Sequence, residues 1–379
     1  MSFRAFLLAL AIVLAVGGVG HTLTPLETEE PVVVKGVVRD IKQLESTFGS
    51  FGEMENYELT VELTEKPYKG EHVKIKNTIT GQPYFDLEVK KGDRVLIMIE
   101  WTDVVNGEYQ ANLTGFARDS ALGIITLLFA LSLVVVGGIK GLKALVSLTF
   151  MGIMVVSVLL PLILRGYNPV LVTVGIASVV AILFLFFIGG FNKKTLSATI
   201  GTVGGLIVAG VLAFIFGKLA YLTGLSSSEA QMLQYFETQI DFQGLLFSGI
   251  VLGALGAILD VGMSVASAVE QISETDPTIS SKVLLKRGMN VGRDVLGSMS
   301  NTLILAYVGT SLPLLLLFQT YDTSISHILN LDLIATEIVR AMAGSTGLTL
   351  AVPLTAAIAT FFHVRKEKVV KKTETDVEI

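Results

Sequence analysis

From residue 120 to residue 363 the chain is almost continuously apolar, parcelled by short polar interruptions into stretches the length of a membrane span. A hydrocarbon core of ~30 Å needs about 20 apolar residues in helical form, and only helices or closed barrels can satisfy their backbone there. Seven such stretches are expected, at 121–138, 144–164, 169–190, 195–222, 243–268, 294–318 and 341–363. An eighth apolar run, Phe3 to Gly20 behind Arg4, makes residues 1–22 either a retained anchor or a cleaved signal peptide, with Gly18 and Gly20 at plausible cleavage positions. The whole-chain numbers agree with this reading: 51% of residues are hydrophobic and 16% charged, where soluble domains carry roughly 25% charged residues.

Residues 30–118 differ in kind. They hold 11 Lys and Arg with 15 Asp and Glu, and their apolar period falls to two. Val32 to Val38, Tyr57 to Leu63, His72 to Lys76, Val95 to Ile99 and Tyr109 to Phe116 read as strands, separated by Lys69-Gly70, Lys91-Gly92 and Asn106-Gly107 turns. Five short strands in such a segment suit a small all-β, OB-like barrel or a related sandwich. Its acidic balance and single Trp101 speak against nucleic acid; a protein partner or a plain structural module fits it better.

Orientation follows from the basic residues. One set of alternate connections, together with the 364–379 tail, carries 13 Lys and Arg, among them Lys140, Lys193, Arg287 and Arg365; the other set carries Arg165, Lys218 and Arg340. The basic face is expected in the cytoplasm, which puts residues 30–118 outside and the C-terminus inside a cell membrane. Two outer connections, Ser226 to Ile240 and Ile328 to Arg340, mix apolar and charged residues at helical spacing and read as interfacial segments.

Chemistry is sought where polar groups enter the membrane. An Asp at a helix centre costs roughly 2.5–3.5 kcal/mol on insertion scales, so such a residue raises a functional hypothesis. Asp260 lies within the fifth stretch, and Ser264 and Ser267 share its helical face. The sixth carries Asp294, Ser298 and Asn301 at steps of three and four, with Tyr307 beyond. Consecutive elements are usually neighbours, so the two stripes could line a wet path or ion site, with Glu337 and Arg340 near its outer mouth. Against this stands a structural role: Ser, Thr and Asn bridge helices at about 0.6 kcal/mol each, and Asp294 could pair with Arg293. Gly201-xxx-Gly205-xxx-Ala209 and Gly249-xxx-Gly253-xxx-Ala257 read as close packing, and Pro313 and Pro353 as kinks.

The stretches Gly253 to Ser267, Gly292 to Pro313 (with Ser300-Asn-Thr-Leu-Ile-Leu-Ala-Tyr-Val-Gly) and Glu337 to Thr355 (with Ala343-Gly-Ser-Thr-Gly-Leu) resemble the YibE/F family of multi-pass membrane proteins. The resemblance covers spans 120–363 and extends to an extracytoplasmic domain behind an N-terminal segment. It implies a membrane location and permease-like character, and no catalytic residue is carried over from it.

The expectation is therefore an α-helical polytopic membrane protein of seven to eight spans with a small outer β domain, acting as a permease for an ion or small solute. The alternative is a non-transporting assembly or signalling protein that works through its outer domain. An intramembrane hydrolase pairing Asp260 with Asp294 is disfavoured, because Asp260 stands about two turns from the end of its helix and Asp294 at the end of its own. With no Cys and four His, thiolate and His-built metal centres are not expected, nor is a cofactor, and no nucleotide-binding or hydrolase motif is present. The partners expected are the lipid bilayer, an outer protein partner and further copies of the chain.

Overall fold

The computed structural model describes residues 32–49, 52–103, 108–236, 239–320 and 324–375. The N-terminal segment 1–22, the Asn106-Gly107 turn, Glu237 and the last four residues of the tail lie outside them. Contacts divide the chain into two compact units, the first ending at Val136 and the second beginning at Gly137.

The first unit contains six strands: β1 (Val32–Gln43), β2 (Thr47–Gly49), β3 (Gly52–Leu63), β4 (His72–Ile79), β5 (Arg94–Asp103) and β6 (Glu108–Phe116). All pairings are antiparallel, in the order β2-β3-β1-β5-β6 with β4 also on β3. The sheet curls until β4 approaches β6, giving a half-barrel. Alternation puts Val34, Val38, Leu59, Val61, Leu63, Val73, Ile75, Val95, Ile97 and Ile99 inside, so the period-two signal is also the core. Gly36 crosses this core where a Cβ would lie 2.5 Å from Val61. Lys35 leaves the sheet to pair with Glu65 at 3.0 Å and with Asp119 at 3.3 Å, tying β1 to the start of the first helix. The five expected strands are all present; β2, three residues long, is the addition.

The helices are α1 (Asp119–Leu164), α2 (Pro169–Gly189), α3 (Lys193–Leu219), α4 (Ser228–Phe236), α5 (Phe242–Thr275), α6 (Ser281–Thr310), α7 (Leu312–Thr320), α8 (Ile325–Leu329) and α9 (Asp332–Thr375). Among the described residues five helices are long and apolar enough to cross a membrane: α1, α2, α3, α5 and α9 over Asp332–Phe362. Counting the bent pair α6 and α7 as one span makes six. The expected first two spans lie within α1, and the connection expected between them is helical. Only Gly138 departs, at φ 56° and ψ −135°, a left-handed conformation that glycine reaches without steric cost. A π turn at Val155–Leu159 precedes Pro161, which has no N–H to give to a regular ladder.

The sixth apolar stretch is broken at Ser311, with a bend of 59° between α6 and α7, beside Pro313 as expected. Pro353 sits inside α9, which stays helical throughout. Boundaries differ from the expected ones where polar residues extend a helix beyond its apolar part. Thus α6 starts at Ser281 rather than 294, and α9 at Asp332 rather than 341. The Ile328 to Arg340 segment is therefore α8 followed by the first turns of α9, not a separate interfacial helix.

α3, α5 and α9 pack on one another through Ala198, Leu206, Ile258, Leu259, Val265, Leu348, Ala351 and Val352, all buried. Where the two backbones approach each other, Gly205 of α3 faces Gly347 of α9. A Cβ on Gly205 would lie 2.9 Å from the Gly347 carbonyl oxygen, and one on Gly347 would lie 2.7 Å from that of Gly205. No side chain fits between these backbones, as small-residue crossings in membranes require. α2 packs on α3 and α5, and α6 on α5 and α9.

Candidate functional site

The outer surfaces of the helices fall into two classes. On α2 the exposed residues include Leu171, Val179 and Ile182; on α3, Leu196, Ile200, Ile207, Val211 and Phe214; on α9, Ile338, Met342, Leu350, Leu354 and Phe361. Such faces suit hydrocarbon. α5 is patterned the other way round. Its apolar side chains, Ile250, Val251, Ala254, Leu255, Ile258, Leu259, Val261, Val265 and Val269, are buried. The face turned outward, at steps of three and four, is Gly249, Gly253, Gly256, Asp260, Ser264 and Gln271, with Ser267 half-buried. α6 repeats the pattern: Asn290, Arg293, Asp294, Gly297, Ser298, Asn301 and Thr302 are exposed, and the apolar Leu305 follows at the end of the stripe.

α5 and α6 run antiparallel. Gly288 meets Val269, Gly292 meets Val265, and the Tyr307 hydroxyl lies against Gly253. Asp260 stands between the last two contacts, so its level on α6 falls within the stretch that carries Ser298 and Asn301.

Neither stripe is enclosed. Asp260, Ser264, Asp294, Ser298 and Asn301 lie on the open surface of the bundle, where the expectation had them lining a shared interior path. Among the described residues Asp260 and Asp294 have no hydrogen-bond or ion-pair partner. Arg293 turns to Asn290 instead, its Nη1 donating to Oδ1 at 3.1 Å, so the suggested Arg293–Asp294 pair does not form. The Ser298 hydroxyl donates to the Val295 carbonyl at 3.1 Å, a local bond that leaves its lone pairs free.

The remaining expected residues form a second, half-buried group. The Tyr307 side chain turns into the bundle against Gly253 and Gly344, away from the Asn301 stripe. Arg340 donates to Glu337 at 2.8 Å, one helical turn apart on α9, and both share the helical face on which Gly344 meets the Tyr307 hydroxyl. The Tyr307 hydroxyl, Glu337 Oε2 and Ser345 Oγ are buried without a hydrogen-bond partner. The structure therefore brings Tyr307, Glu337 and Arg340 together and separates them from the carboxylate stripe. Gly253 and Gly344, which admit the tyrosine, were visible in the sequence only as small residues. Towards the other end of α5, Glu270 pairs with Lys194 of α3 at 2.8 Å, a contact between distant segments that no local pattern announces.

A cavity of about 760 Å³ opens between α2, α3 and α5. Its walls are apolar, including Val174, Ile207, Val211 and Phe247, and its polar rim is Asn168, Lys218, Asp241 and Gln243. Those rim groups already have work: Asn168 caps α2, Asp241 caps α5, and the Lys218 ammonium sits 4.3 Å over the Phe214 ring. Among the described residues no group of three or more His, Asp or Glu could hold a metal ion.

Comparison with known proteins gives matches at the level of families. The YibE/F-like protein family model matches residues 125–365, and the YibE/F family N-terminal domain model matches residues 28–116. No curated protein and no solved structure matches the chain.

Proposed function

The chain belongs to the YibE/F-like family, and from that premise we propose that it is a multi-pass membrane permease for an ion or small polar solute. The observation that carries the reading is Asp260: a carboxylate without a partner among the described residues, midway along a 34-residue apolar helix, on an exposed face of glycine and polar groups. Placing such a face at membrane depth costs free energy, and a sequence keeps it where water, an ion or a polar solute meets it. Ser264 and Ser267 continue the path along α5; Asp294, Ser298 and Asn301 flank it on α6. A carboxyl able to gain and lose a proton is what a proton-coupled path needs. The half-buried Tyr307, Glu337 and Arg340 group lies at the other end of the path from Asp294, where it can bias an outer gate. The positive-inside pattern supports a cell-membrane location with residues 30–118 outside and the C-terminus in the cytoplasm.

The test is flux in proteoliposomes. Wild-type protein should move a monovalent ion or proton down an imposed gradient, and Asp260→Asn should abolish or strongly reduce that movement. Flux unchanged by Asp260→Asn would overturn the reading. A second reading has its own observation: the β domain belongs to a compact unit of its own. As a partner-binding module it would make the protein a membrane assembly or signalling component. Deletion of residues 30–118 would then abolish function in cells while Asp260→Asn would not.

A further inference from the structure

We infer that the polar face of α5 and α6 is the contact between two copies of this chain, and that the permeation path runs between the copies. The second clause rests on the permease reading; the first does not.

The exposed large side chains of α2, α3 and the span of α9 are mostly apolar, as contact with lipid requires, whereas the exposed stripe of α5 from Gly249 to Ser264 and that of α6 from Asn290 to Thr302 consist of glycines, carboxylates, amides, hydroxyls and the Arg293 guanidinium. In hydrocarbon a polar helix face finds a protein partner, and small residues with hydrogen-bonding side chains are what membrane helices use to associate. Gly249 and Gly256 of α5 and Gly297 of α6 have open space where a Cβ would be, so a neighbouring backbone can come close at each.

The face is also complementary to itself. A two-fold dimer needs a patch on which residue i meets j and j meets i. α5 presents an acceptor, the Asp260 carboxylate; α6 presents donors at the same depth, the Asn301 amide and the Ser298 hydroxyl. With the axis along the membrane normal, depths are preserved between copies. The α5 of each copy can then lie against the α6 of the other, with Asp260 facing Ser298 and Asn301 twice over. The site is incomplete in one copy and closed in two.

The chain has no Cys, so introduced thiols report without background. Ser264→Cys and Asp294→Cys, which the Val265–Gly292 contact puts at one depth, are carried on two differently tagged full-length chains, co-expressed and oxidised in native membranes. A mixed disulfide dimer is expected at twice the 40.6 kDa mass. It should be missing when the thiols are moved to the apolar faces as Ile207→Cys and Leu354→Cys. It should also be lost when Gly256→Trp is added, while Ile207→Trp leaves it. Absence of the mixed band with both chains present in the membrane would overturn the dimer, and would assign the cover of this face to another segment of the same chain. The flux assay separates the two clauses. A mixed band together with flux that ignores Asp260→Asn overturns the path and keeps the dimer. Asp260-dependent flux without the band overturns the dimer and keeps the permease.

Discussion

At the scale of single residues, the molecule distinguishes glycines that spacing alone cannot. Gly205 and Gly256 both sit in apolar helices among other small residues. A Cβ at Gly205 would meet Ala351 and the Gly347 carbonyl at 2.9 Å, both held by packed helices, whereas a Cβ at Gly256 would meet nothing within 4 Å. Gly205→Ala should lower stability by about 1–3 kcal/mol, the usual range for overpacking, while Gly256→Ala should leave the monomer's unfolding in mild detergent unchanged. A thermal-melt comparison of the two decides it. The motif Gly201-xxx-Gly205-xxx-Ala209 was legible as packing and is packing. Gly249-xxx-Gly253-xxx-Ala257 carried the same expectation and meets it in part: Gly253 admits the Tyr307 hydroxyl and Ala257 packs on the core, whereas Gly249 is open, because periodicity names a helix face without saying what covers it. Asp260 was legible for the opposite reason: a carboxyl in an apolar run stands out whatever surrounds it. Since Asp260 has no hydrogen-bond or ion-pair partner among the described residues of its own chain, Asp260→Asn should not lower the melting temperature of the monomer in mild detergent, so lost flux would not be lost fold.

At the scale of elements, the half-barrel was the easier part to read, because its alternation and its core are one signal. β2 escaped because three residues show no period. In the bundle, hydrophobicity located the apolar middles of α6 and α9 but not their starts, since polar residues continue a helix without contributing to that signal. The tie from β1 gives a pH prediction. Glu65 accepts from the Lys35 ammonium, which holds its carboxyl below the ordinary value of 4.5; that hydrogen bond in turn raises Lys35 above 10.5, with Asp119 adding to it. An acid depressed by folding contributes stability above its ordinary value and loses it as pH falls through the lowered one. A raised lysine contributes below 10.5 and loses it as pH rises through its folded value. The β domain should therefore be flat in stability at neutral pH and weaken at both extremes, modestly, because the pair is exposed to solvent. Glu65→Gln should lessen the acid-side loss. Fluorescence of Trp101, the chain's sole tryptophan and part of β5, follows the unfolding.

At the scale of the whole molecule, the proposed orientation is tested by labelling intact cells with a thiol reagent that does not cross the membrane. Tyr84→Cys, on an exposed loop of the β domain, should label from outside, and Thr278→Cys, in the connection between α5 and α6, should label only after permeabilisation. The reverse result would invert the topology. Residue counting could supply this orientation; it could not supply the exposure of the α5 and α6 stripes, which depends on how α3, α5 and α9 take up one another's apolar sides. That central trio has a mechanical consequence. Where Gly205 and Gly347 touch, sliding α3 along α9 by a turn would drive a methyl or larger group into a carbonyl. The crossing acts as a pin: the three helices can travel together but cannot slip. In the proposed permease a change of shape would have to turn about that pin, and the joint at Ser311, already bent by 59° and outside the trio, is a place for it.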